Sequence, residues 1–244
     1  MNLFKTPEGY LFSNKALLYL FIPLLIEYAL EFFVGFADSI MVASLGEAAI
    51  SGVSLVDFIM QLLIFSFSAL ATGGAVIAGQ YLGDNKINKA QDASTQLIWF
   101  SAIASLIFMI VAIFARSFLI GLLFGEIEAN VWGYADIYLF IVAFSIPSLA
   151  IYSAGAAIFR TTNDATIPMK IMLIFDIVNV VGNAFCIYYL GWGVEGVAIP
   201  TVISRFLAAA AILYCVLDED YTLHIKKTLK HKFDWSILKN VLNV

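Results

Sequence analysis

Charge is what this sequence has least of. Asp, Glu, Lys and Arg make up 13% of its 244 residues while 62% are apolar; an average soluble domain is about 25% charged. A soluble fold of this length needs a charged shell that these residues cannot build, and lipid is the solvent that removes the need. Histidine is nearly missing. The two present, His224 and His231, both fall in the polar C-terminal stretch. That excludes an intramembrane histidine base and a histidine metal site, and no Gly-x-Ser-x-Gly elbow supplies a protease nucleophile. The two cysteines, Cys186 and Cys215, lie in apolar runs and read as small buried hydrophobes. Outside the C-terminal Lys/His stretch there is no basic patch for nucleic acid, and no repeated filter-like loop speaks for a channel. The N-terminus lacks the short apolar core and cleavage site of a secretory signal.

Long apolar runs are what the chain has instead. A bilayer core needs about 20 apolar residues in a helix. Six stretches qualify, at approximately 15–41, 51–80, 94–120, 131–158, 168–190 and 194–217. The expected fold is an all-α membrane protein, with residues 1–14 before the six-helix unit of 15–217 and residues 218–244 after it. The connections LGEAA, GDNKINKAQD, FGEIEAN, RTTNDATIP and GWG are short, so each helix returns beside its predecessor. Lys5 and Lys15, Lys86 and Lys89, Arg160 and Lys170, and the lysines from Lys226 onward alternate with connections that contain no lysine. Both termini are therefore expected on the cytoplasmic side of the inner membrane. After the sixth run Asp234 is placed as an N-cap, and the chain is expected to stop as a seventh helix begins.

Ionisable residues inside spans are costly, about 2.5–3.5 kcal/mol each at a helix centre, and so mark function. Glu27, Glu31 and Asp38 form one stripe on the first span, within about 40° of one another at helical spacing. They must face the bundle interior or a wet cavity. Holding a proton or a metal cation is the simplest use for them. Asp57, Gln61 and Ser68 form a second stripe, and Asp176, Asn179 and Asn183 a third. The sixth span offers Thr201 beside Pro200, with Arg205 one turn on. Bland roles stand beside these: Glu27 as a hydrogen-bond partner of a neighbouring helix, Asp57 solvated near the outer end of its span, and Arg205 as a structural partner for a buried acid. Pro23, Pro147 and Pro200 lie within spans, where a missing donor can kink a helix.

Four segments, in order, carry a resemblance: VGFADSIMVASLGEAAISGVSL, ALATGGAVIAGQYLGDNKINKAQDAS, IFRTTNDATIPMK and GVEGVAIPTVISR. Together they resemble the multidrug and toxic compound extrusion (MATE) family, over essentially the whole chain from about residue 10. The resemblance implies one six-helix lobe of a two-lobe antiporter that exchanges sodium or protons for organic cations by alternating access. It places the coupling ion at Asp38, with Asn179, Asn183 and Thr201 as partners. Asn183 departs from the acidic form found in some members, so the site has one fewer carboxylate and suits a proton as well as sodium. Glu31, a heptad before Asp38, is expected to restore that charge. Glu27, Glu31, Asp57, Gln61, Asp176 and Arg205 complete an accessory polar cavity. No cofactor is implied beyond the coupling ion, H+ or Na+. The implied partners are the bilayer, small organic cations and a second six-helix lobe from the same or another chain. The rivals are a lipid-linked oligosaccharide flippase, for which Arg205 alone would face a pyrophosphate, and an inert or structural half.

Overall fold

The computed structural model describes residues 14–225. The expected cap at Asp234 and the residues before 14 lie outside that range. Among the described residues there is no strand, and the helices run α1 Asn14–Ala43, α2 Glu47–Gly83, α3 Ile87–Phe114, α4 Arg116–Phe124, α5 Ala129–Ala143, α6 Ile146–Thr161, α7 Thr166–Ala184 and α8 Glu195–Val216. A π-helical turn, Phe185–Tyr189, extends α7. Five of these segments are long and apolar enough to cross a membrane singly, and α5 with α6 forms a sixth span bent by 51°. The large apolar residues of α1, such as Phe32, Phe33 and Phe36, are exposed. On a membrane protein such a surface meets lipid or another apolar body.

Two of the polar connections are built alike. After α2, Lys86 N–H bonds the Tyr81 carbonyl and Asn85 N–H the Leu82 carbonyl; after α6, Asp164 N–H bonds the Phe159 carbonyl and Asn163 N–H the Arg160 carbonyl. Both are Schellman stops with asparagine in the left-handed position, Asn85 at φ 59° and Asn163 at φ 65°. Asparagine tolerates that conformation because its side chain can satisfy nearby backbone groups. Only three residues, Asp84 to Lys86, then separate α2 from α3.

This shortens one expected loop and moves a span. The third span was expected at 94–120, but its helix occupies 87–114. The polar residues of INKAQD continue the helix beyond the apolar zone: Ala90 is buried, and the Gln91 amide donates to the Thr222 carbonyl. At the other end the span stops at Ala115, and α4 starts at Arg116, whose Nε lies 2.7 Å from Asp136 Oδ1. Of the three prolines read within spans, α1 and α8 continue as helix through Pro23 and Pro200. The break falls before Pro147 instead. A proline offers no N–H to the carbonyl four residues back, here Ala143, and disfavours helical geometry in the residue before it.

Close approach fixes which helices meet. α2 packs on α3, α5 and α6, while α7 packs on α8 and α1. A Cβ at Gly155 would lie 2.6 Å from Ile212, and one at Gly182 would lie 2.9 Å from Pro200. The second contact joins α7 to α8 at the level of the polar residues described next.

Candidate functional site

Because α7 is helical through 184, Asn179 and Asn183 stand one turn apart on one face, and both are buried. Gly182 lets that helix close on Pro200, which brings Thr201 to the same level. The result is a continuous chain. Thr201 Oγ1 donates to the Val197 carbonyl at 2.8 Å and accepts from Asn179 Nδ2 at 2.9 Å. Asn183 Nδ2 donates to Asn179 Oδ1 at 3.2 Å and to Asp38 Oδ1 at 2.7 Å. The Asn183 amide spends both of its N–H groups within this chain. What remains is oxygen, including Asn183 Oδ1, which is buried and has no hydrogen-bond partner. A buried acceptor without a donor is costly, and a cation or proton placed there would relieve it.

The other acids are placed differently. Glu27 is 6% exposed, and its Oε2 lies 2.6 Å from Arg160 Nη2. The Tyr152 hydroxyl lies 3.2 Å from Glu27 Oε1 and 2.8 Å from the Pro168 carbonyl. Glu27 therefore belongs to a closed ion pair rather than to an open polar cavity. Arg160, which the charge pattern placed at the end of a span, is its half-buried counter-ion. Glu31 is partly exposed, two turns before Asp38 on α1.

Asp57 accepts from the Tyr138 hydroxyl at 3.4 Å. Because α2 begins at Glu47, Asp57 lies about 15 Å along that helix at 1.5 Å per residue, deeper than the expected span implied. It is exposed, and Gln61, one turn on, is half-buried. Asp176 is half-buried on α7, and its Oδ2 is buried without a hydrogen-bond partner. Arg205 departs most from expectation. It pairs with no acid among the described residues; its Nη1 donates to Ser145 Oγ at 2.9 Å. Sequence reasoning missed Ser145, Tyr138 and Tyr152 because nothing in their local pattern sets them apart. Among the described residues no three His, Cys, Asp or Glu side chains converge on a metal site. The Asp38 group is a set of one carboxylate with neutral amide and hydroxyl oxygens, which suits a hard monovalent ion or a proton.

An all-helical membrane unit with a polar chain buried between three of its spans has the form of one lobe of a transporter. Comparison supports this class. The MatE family model matches residues 23–185, and the chain belongs to that family. It is 29% identical over 233 residues to the uncharacterized transporter YisQ of Bacillus subtilis, covering 94% of this chain and 50% of YisQ. It is 23% identical to a probable multidrug resistance protein NorM of Thermotoga maritima, covering 95% of this chain and 50% of that protein. A multidrug resistance MATE family transporter of the MOP superfamily, solved in an outward-facing conformation, superposes with a TM-score of 0.85 at 25% identity, over 94% of this chain and 51% of its own. A MOP superfamily transporter from Pyrococcus furiosus gives the same score at 24% identity, over 94% of this chain and 50% of its own. The chain thus spans about half the length of the curated relatives it matches.

Proposed function

We propose that this chain forms one lobe of a cation-coupled antiporter that exports organic cations across the inner membrane, with Asp38 as the coupling residue. The observation that carries this is the chain Asp38–Asn183–Asn179–Thr201, in which one buried acceptor, Asn183 Oδ1, has no donor. A proton on Asp38, or a sodium ion shared by the oxygens of Asp38, Asn179, Asn183 and Thr201, supplies the missing positive charge. These side chains link α1, α7 and α8 at the level where Gly182 also brings α7 against Pro200 of α8. Loading and unloading the site therefore alters how they pack, and a second lobe moving against this one converts that change into alternating access. The exposed Asp57 carboxylate offers organic cations a counter-charge. The lysines at the α2–α3 turn and after α8 support a cytoplasmic placement of both termini.

The test is ethidium efflux from pump-deficient cells, comparing the chain with Asp38→Asn at equal membrane abundance, each with and without a co-expressed second six-helix lobe. Efflux that needs both the second lobe and Asp38 supports the proposal. Efflux that persists in Asp38→Asn overturns the assignment of the coupling residue. No efflux in any arm, with the lobes shown to associate, overturns the substrate class.

A further inference from the structure

Asp57 carries a charge where a membrane helix can least expose one. It lies well inside the second span and is exposed. A carboxylate there does not face hydrocarbon. Its neighbours on the same helical face are polar too: Ser54, one turn before it, is exposed, and Gln61 and Ser68, one and three turns after it, are half-buried. This face of α2 therefore meets water or a ligand. Among the described residues no Lys, Arg or His makes an ion pair with Asp57, so its charge has no fixed partner.

What holds Asp57 comes from α5. Gly52 draws the two backbones together: a Cβ there would lie 2.8 Å from the Val131 carbonyl oxygen and 3.0 Å from the Ala135 nitrogen. From that contact α2 and α5 run on side by side to Asp57 and Tyr138. Tyr138 is 3% exposed, its ring packed in the core, and its hydroxyl donates to Asp57 Oδ1 at 3.4 Å. At that length the bond contributes direction more than energy. One carboxylate oxygen is thereby turned into the lobe, and among the described residues no donor reaches the other, Oδ2. A tyrosine orients a carboxylate without cancelling its charge, whereas an arginine would do both.

We propose that Tyr138 is a positioning residue that aims Asp57 Oδ2 at the N–H group of a protonated organic amine, so that this face selects amine cations over quaternary ones. The inference rests on the export of organic cations proposed above. A quaternary ammonium offers the carboxylate charge alone, at the distance its alkyl groups impose. A protonated amine adds a charge-assisted hydrogen bond, which needs an acceptor lone pair in a fixed direction. Without the tyrosine hydroxyl the carboxylate turns freely about its side-chain bonds and must be ordered when the amine binds.

Isothermal titration calorimetry on the purified chain tests this with two cations. One is the tertiary amine imipramine, protonated at neutral pH, and the other is its quaternary N-methyl salt, which has the same ring system and charge. The unaltered chain should bind the amine about tenfold more tightly, the scale of one charge-assisted hydrogen bond. Tyr138→Phe keeps the ring and should reduce that preference to about threefold, through weaker binding of the amine, while the quaternary salt changes by less than about twofold. Asp57→Asn, at an exposed position, should weaken both cations and abolish the preference; it stands as the test if Tyr138→Phe does not fold. A preference that survives either substitution undiminished overturns the inference. So does an equal loss for both cations in Tyr138→Phe, the mark of a merely structural contact. A preference that vanishes when a second lobe is added makes Asp57 a contact between lobes and overturns it as well. Equal binding of the two cations by the unaltered chain overturns the inference and leaves the export of organic cations standing, whereas binding of neither overturns both.

Discussion

Glu27 and Asp38 lie on one stripe of α1 and meet opposite surroundings. Glu27 is answered by a full positive charge, Arg160, at 2.6 Å, with the Tyr152 hydroxyl beside it. Asp38 is answered by an amide, Asn183, at 2.7 Å. A buried carboxylate with a fixed guanidinium is electrically complete, and removing either partner strands the other. A half-buried carboxylate with a neutral donor has no fixed counter-charge and stays open to a proton or a mobile cation. The contrast separates a strut from a candidate ion site on one helix.

The sharpest way to break the comparison is Asp38→Asn. It should abolish the shift in melting temperature that the coupling ion produces in detergent, while stability without ion changes by less than about 1 kcal/mol, since Asn can still accept from Asn183. A retained ion shift would show that Asp38 is as closed as Glu27. Arg160→Met should do the reverse. It leaves Glu27 buried without its cation and should cost about 3 kcal/mol by chemical denaturation, with the ion response intact. Pairing it with Glu27→Gln should recover most of that loss; failure to recover would mean the pair contributes more than charge balance. Asn183→Asp adds a second carboxylate beside Asp38 and should raise apparent sodium affinity by about tenfold in a sodium titration, one unit charge acting across a partly screened contact. Gly182→Ala places a methyl 2.9 Å from Pro200 and should cost about 1–3 kcal/mol as α7 and α8 are pushed apart. Thr201→Val keeps the shape, removes the bond to Asn179 and should cost about 1 kcal/mol; a smaller ion shift in a melting assay would confirm that it belongs to the chain.

Much of the architecture was legible because lipid imposes simple demands. Apolar runs gave the spans. The spacing of Asn179 and Asn183 placed them on one face, and the resemblance then singled out Asp38 and Thr201. The misplaced features share a cause. INKAQD looked like a loop because local polarity cannot reveal that the helix outlasts the bilayer and packs on residue 222. Proline content alone did not single out Pro147, because Pro23 and Pro200 have the same chemistry and their helices run on through them.

Composition and helical spacing by themselves determined that this chain is a multi-pass helical membrane protein and which side chains share a face. Those properties depend on residues within a few turns of one another and on the solvent they must meet. Which carboxylate is neutralised and which stays open was decided only by tertiary structure. The partners of Glu27 and Asp38 lie 133 and 145 residues away in sequence, and it is the reach of Arg160 from α6 and the packing of α1 against α7 that deliver an arginine to one acid and an amide to the other.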